Sequence, residues 1–170
     1  MMELAKQTLD DLRITMDSLN AAENEQMLRI LVFAAIGLNR SVGCALMKDP
    51  SADVRKASDD LYQEWKQDKD GIFMRFIKPY RDFVLHEAKT NLKDGGAIAV
   101  IDPEQDLVLD IYYEEALYVT VEPFEDERHH HYYDYGDLDI RDLLEESISW
   151  WEEQLERIEE IVSIDGMGIE

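Results

Sequence analysis

A chain of 170 residues, 45% apolar and 33% charged, is long enough for one domain with a real core and too apolar for a disordered tail. Its net charge of −22, from 39 Asp+Glu against 17 Lys+Arg, repels nucleic acid and anionic membrane at long range, so a nucleic-acid role needs a local basic site or one assembled between chains. The single cysteine, Cys44, excludes an intrachain disulfide and a cysteine-rich metal site, and its neighbours Val42, Ala45 and Leu46 predict a buried, inert thiol.

In chain order, Ala5, Leu9, Leu12, Met16 and Leu19 recur at helical spacing and predict an amphipathic helix over 3–19. A second helix is expected over 23–47. Its middle, Ile30 to Leu38, is apolar on every side, the pattern of a central bundle helix. The uncharged stretch between Arg29 and Arg40 is far short of the roughly 20 residues of a membrane span. With Glu3 and Asp10 near the start and no signal-peptide pattern, a cytoplasmic protein without membrane contact is expected.

Asp49-Pro50 reads as the cap and first residue of a third helix over 50–69, with Val54, Ala57, Leu61 and Trp65 inward and Asp70-Gly71 at its end. Residues 72–92 read as a fourth, with Pro79 forcing a kink or a fresh start. Composition then changes at Asp94-Gly95-Gly96. Ala97–Ile101, Leu107–Tyr113 and Leu117–Glu122 predict a three-stranded meander within an insert over 97–122. After the polar stretch "EDERHHHYYDYGD", a last helix is expected over 138–163 on the stripe Leu144, Ile148, Trp151, Leu155, Ile158 and Val162, its outer glutamates solvated and the final residues frayed. The whole predicts one mainly α domain: a four- or five-helix bundle with a small antiparallel β-meander inserted before the last helix.

Chemistry has few places to sit. From Ile72 to Lys93 five basic residues (Arg75, Lys78, Arg81, Lys89, Lys93) face two acidic ones (Asp82, Glu87), a local +3 that leaves −25 elsewhere. That window holds Arg81 and His86. A guanidinium can grip a phosphate with two N–H groups and counter transition-state charge. A histidine can take the proton of a ribose 2′-hydroxyl or give one to the leaving oxygen, with no metal or cofactor required. Five helical residues place the two roughly 140° apart, so a symmetric dimer is the natural way to bring two such pairs together.

Arg81, the polar Asp82, the apolar run Phe83-Val84-Leu85 and His86 stand in the order of the HEPN motif, and the segment resembles that superfamily. The resemblance is close on the motif helix and looser in helix order over 1–92 and 138–163. It implies a four- or five-helix bundle, a homodimer with a composite active site, and a metal-independent endoribonuclease of a defence or toxin–antitoxin type. Arg81 would hold the phosphate, His86 act as acid/base, Asp82 orient one of them, and Lys78 and Lys89 steer RNA. Non-catalytic binding modules also occur in the superfamily. The β insert and the acidity depart from its pattern.

Other readings stand beside this one. Arg81 can simply pair with Asp82 or Glu87, and His86 can be a hydrogen-bonded histidine at a helix contact. The chain can also be a non-catalytic interaction protein (antitoxin-like, immunity-like or a nucleic-acid mimic) whose acidic surface binds a basic partner, or a structural homodimer. His129-His130-His131, with Glu125, Asp126, Glu127, Asp134 and Asp137, lacks the spacing of an established metal site and reads as a solvated loop. Asp137 or Asp139 is expected to cap the last helix. Trp150-Trp151 and the pairs Tyr112-Tyr113 and Tyr132-Tyr133 suggest base stacking, against which Trp151, on the apolar stripe with Trp150 beside it, reads as core or subunit packing.

Overall fold

Apolar residues at helical spacing set the first helices where the pattern places them. In the computed structural model, which describes residues 1–87, 90, 92–94, 98–102, 107–112, 119–126, 131–136 and 138–167, α1 (Glu3–Asn20) buries its whole predicted stripe. α2 (Glu25–Met47) begins where the Asn24 side chain accepts the Met27 N–H at 2.9 Å. α3 (Ala52–Gln67) buries Val54, Ala57, Leu61 and Trp65 as predicted. Its cap, however, is Ser51, which accepts the Val54 N–H at 3.4 Å. Asp49 lies two residues early for that role. Its carboxylate takes the Ser51 N–H at 2.9 Å and the Met2 N–H at 3.0 Å, tying the α2–α3 corner to the start of α1 and leaving Pro50 outside the helix.

α2 touches α1, α3 and two later helices, Lys78–Glu87 and Ile140–Met167, yet it is not covered all round. Leu28, Val32, Ala35, Ile36, Val42 and Leu46 face the core, while Met27, Ile30 and Phe33 stay exposed and Cys44 is half-buried rather than enclosed. Among the described residues it is the one helix long and apolar enough to cross a membrane by length and composition.

The helix expected over 72–92 is shorter and has two parts. A π-helical turn, Phe73–Ile77, runs into α4 (Lys78–Glu87), and Leu92–Asp94 is already β1. The insert continues through β2 (Ile98–Asp102), β3 (Leu107–Tyr112), β4 (Val119–Val121), β5 (Phe124–Asp126) and β6 (His131–Tyr133). Its strands, among the described residues, do not pair in sequence as a meander does. Among the described residues β4 pairs antiparallel with β1, Leu92 opposite Val121, and β2 with β3, so one hairpin nests inside another. β5 and β6 form a third pair in the stretch expected to be loop.

α5 (Ile140–Met167) begins two residues later and runs four further than predicted, with the whole stripe from Leu144 to Val162 buried. Asp139 caps it, as expected for one of the two candidates; Asp137 lies outside the described residues. One carboxylate oxygen of Asp139 accepts the Arg141 N–H at 2.8 Å and the other accepts the Val119 N–H at 3.1 Å, which joins β4 to the helix start. Burial alone would push this carboxyl up. The hydrogen bonds from the Arg141 side chain and from the Arg141 and Val119 backbones outweigh it and hold the pKa below its ordinary 3.8.

The flank of α5 is not simply solvated either. Glu152 and Glu159 pair with Arg13 and Lys6 of α1 at 2.6 Å, and Glu146 pairs with Arg75 at 2.7 Å. Each such exposed pair is worth about 0–1 kcal/mol, so they orient the helix more than they hold it. The holding is done inside. Trp151 is buried, its indole N–H donates to Asn39 Oδ1 at 2.6 Å, and Asn39 Nδ2 donates to Ser147 Oγ at 2.6 Å. Ser147 in turn donates to the Leu144 carbonyl at 2.7 Å.

Asn39→Ala leaves Trp151 and Ser147 short of a buried partner and is expected to cost about 1–3 kcal/mol in urea unfolding; an unchanged midpoint would remove the network from the fold's supports. Asp139, with a folded pKa below its unfolded one, stabilises above the unfolded value and loses that contribution as pH falls through the folded one. The stability gap between wild type and Asp139→Asn should therefore be widest at neutral pH and close on acidification below about pH 4. A gap that stays constant would contradict the capping account.

Candidate functional site

Pro79 sets the geometry of the basic segment. It has no N–H to give to the carbonyl four residues back, that of Arg75. The Tyr135 hydroxyl donates to that carbonyl instead, at 3.2 Å, and fastens the loop after β6 to the helix start. Burial, and then the neighbouring Tyr133, push the Tyr135 phenol far up against a lesser lowering by Arg75, so it keeps its proton. Tyr80 is likewise pushed up, first by burial, and donates to the Thr90 carbonyl.

Aromatic packing completes the joint. Phe83 stacks on Phe124 with ring centroids 4.3 Å apart, Phe124 stacks on Tyr133 at 5.4 Å, and Phe76 meets Tyr135 edge to face at 5.6 Å. The β5–β6 hairpin is thereby seated on α4. On the far side of the π turn, Trp65, Phe73, Trp150 and Trp151 pack together, with Trp150 and Phe73 stacked at 5.5 Å. Both tryptophans of the Trp150-Trp151 pair therefore serve internal packing.

Between these joints lies a cleft of about 850 Å³. The end of α3 supplies Lys66, Lys69 and Asp70; the π turn and α4 supply Met74, Arg75 and Lys78. Tyr132, Tyr133, Asp134, Tyr135 and Leu138 form the third wall. Four cations thus face two carboxylates in a protein of net charge −22. The cations differ in their commitments. Arg75 holds Glu146, Lys78 lies 3.7 Å from Asp82, and Lys66 sits 4.6 Å above the Tyr62 ring. Lys69 is exposed and has no carboxylate within 4.0 Å among the described residues.

α4 leads from this cleft to the motif residues. Tyr80 and Val84 bury its inner face, which leaves Arg81 and Asp82 half-buried and His86 exposed near its end. Arg81 turns sideways: its Nε and Nη2 donate to Asp82 Oδ1 at 2.9 and 2.6 Å. Positions 78, 82 and 86 share one row of an α-helix. The guanidinium thus reaches Asp82, whose position lies one turn before His86 on that row. Lys89 lies outside the described residues.

Sequence reasoning singles out Tyr132, within the Tyr132-Tyr133 pair, but passes over Lys66 and Lys69. The two lysines alternate with Asp68 and Asp70, so a local charge count cancels. At the corner, Asp68 accepts the Gly71 N–H at 3.0 Å, and the Gly71 carbonyl accepts the Met74 and Arg75 N–H groups. This brings the end of α3 beside Arg75. Of the histidine run, residues 129 and 130 lie outside the described residues, and among the described ones no three His, Cys, Asp or Glu side chains converge on a metal position.

Nothing matches the chain among protein-family models, curated proteins or solved structures. Tyr135→Phe removes the hydroxyl from the Arg75 carbonyl and is expected to lower stability by about 0.5–1.5 kcal/mol without changing the far-ultraviolet circular dichroism. A variant as stable as wild type would show that the Pro79 gap needs no protein donor.

Proposed function

We propose that this is a HEPN-like, metal-independent endoribonuclease that works as a homodimer. The observation that carries the reading is the motif order on one helix, α4, whose first residue lines the cleft. The cleft cations Arg75 and Lys78 lead directly onto the helix that holds Arg81, Asp82 and His86 in motif order.

In this reading Asp82 occupies two of the five N–H donors of Arg81, which leaves three for the phosphoryl oxygens of the scissile linkage. His86 removes the proton of the ribose 2′-hydroxyl as that oxygen attacks phosphorus, and the bond to the 5′-oxygen breaks. A second acid must then protonate the leaving oxygen. One chain offers a single motif histidine, so the second comes from the His86 of another copy, which its exposure near the end of α4 permits. The products are a 2′,3′-cyclic phosphate and a free 5′-hydroxyl. Lys78 draws the backbone in.

Purified protein is expected to cleave single-stranded RNA in EDTA, and His86→Ala to reduce the rate at least 100-fold while its thermal transition is kept. Undiminished cleavage in that variant would remove His86 from the mechanism.

A second reading follows from the outer face of α5, where Glu153, Glu156 and Glu160 are exposed. A non-catalytic acidic protein would use such a face on a basic partner. It would show a salt-sensitive complex and no nuclease activity.

A further inference from the structure

We infer that the cleft between α3, the π turn and β6 binds a single-stranded RNA segment adjoining the linkage cut at Arg81 and His86, with the exposed Tyr132 as its base-stacking platform. The inference rests on the proposed nuclease reading for the choice of RNA, while the binding surface stands on its own geometry.

Charge identifies a phosphate backbone as the ligand. The net charge of −22 repels a polyanion at long range, whereas in this cleft Lys66, Lys69, Arg75 and Lys78 outnumber Asp70 and Asp134. Arg75 and Lys78 are already balanced by Glu146 and Asp82, so Lys66 and Lys69 carry most of the uncompensated charge. The aromatic wall separates a nucleic acid from a bare polyanion. Tyr133 and Tyr135 are packed into the hairpin joint, whereas Tyr132 is 63% exposed at the cleft. An exposed ring beside lysines is the pairing with which proteins hold unpaired bases. A duplex hides its base faces in its own stack, so the ring favours a single strand. The volume of about 850 Å³ is that of a pocket enclosing a small organic molecule, which limits the ordered segment to a few nucleotides. Lys78, the first residue of α4, lines the cleft, and Asp82, one turn on, is held by Arg81.

The test measures fluorescence anisotropy of a labelled 2′-O-methyl RNA 12-mer, which resists cleavage by 2′-hydroxyl attack, at several salt concentrations. The Lys66→Gln/Lys69→Gln double variant should bind about tenfold more weakly. Its slope of log affinity against log salt should flatten by roughly 1.4, since each phosphate contact in a single strand contributes about 0.7. Tyr132→Ala should weaken the 12-mer roughly tenfold and leave inorganic polyphosphate binding unchanged. The same sequence as a duplex should bind more weakly than the single strand. RNA binding unchanged in the lysine variant overturns the cleft assignment, as does failure of the wild type to bind the 12-mer. Equal losses of RNA and polyphosphate in Tyr132→Ala overturn the stacking role. Each variant's thermal transition guards against misfolding. The two proposals fail separately. Cleft-dependent binding without cleavage of unmodified RNA sinks the nuclease and spares the cleft. His86-dependent cleavage with cleft variants that bind normally does the reverse.

Discussion

A buried indole holds this fold together. Trp151 projects from α5 close against Gly43 of α2: a Cβ there would lie 3.3 Å from its ring, a tight contact that the ring would have to ease by a few tenths of an ångström. The indole N–H then finds Asn39, and Asn39 finds Ser147, so every polar atom of the contact is answered inside the core. Apolar packing alone would let two helices slide by a turn at small cost. This arrangement does not, because a shift of either helix strands an amide in the interior. Once α5 is registered on α2, its other contacts follow: Gln154 accepts the Trp65 indole N–H from α3 at 2.8 Å, and Glu146 meets Arg75 at the π turn. The position of the cleft is thus set by a contact on another face of α5.

How much of this could be read in advance depends on whether the governing interactions are local. Helices α1, α3 and α5 were legible because their stripes repeat at a period the chain itself declares, and the same residues are buried. Strand pairing was not. Val119 and Val121 look equally fit to face Leu107–Tyr112 or Leu92–Asp94, and alternation says which side a residue faces without naming the partner. The β5–β6 hairpin was hidden for another reason. Its apolar contribution comes from Phe124 and Tyr133 amid carboxylates and histidines, and its stability comes from rings on α4 forty residues away.

The candidate site divides along the same line. Arg81, Asp82, His86 and Lys78 sit on one helix and so appear as a motif in the sequence. Lys66, Lys69 and Tyr132 join them only through the Asp68–Gly71 corner and the seated hairpin. A charge count along the chain averages the lysines against Asp68 and Asp70, whereas folding turns the lysines into the cleft together with one of those acids. What the pattern understated for α5 has the same origin: glutamates that look solvated on a helical wheel meet Lys6 and Arg13 only when α1 arrives.

The long separation of those partners has a consequence for the order of folding. α1 and α2 are neighbours joined through residues 21–24, so their contact closes a short loop and can form early. The pairs Arg13–Glu152 and Lys6–Glu159 span 139 and 153 positions, and the Asn39–Trp151 bond spans 112. Loop-closure entropy opposes all of them until α5 docks. Between those events the α1–α2 pair waits with its α5-facing side in water, and the wall carrying Arg75 lacks its Glu146 brace. The cleft is therefore among the last parts to take shape, after the helix that makes no lining contribution to it has closed the core.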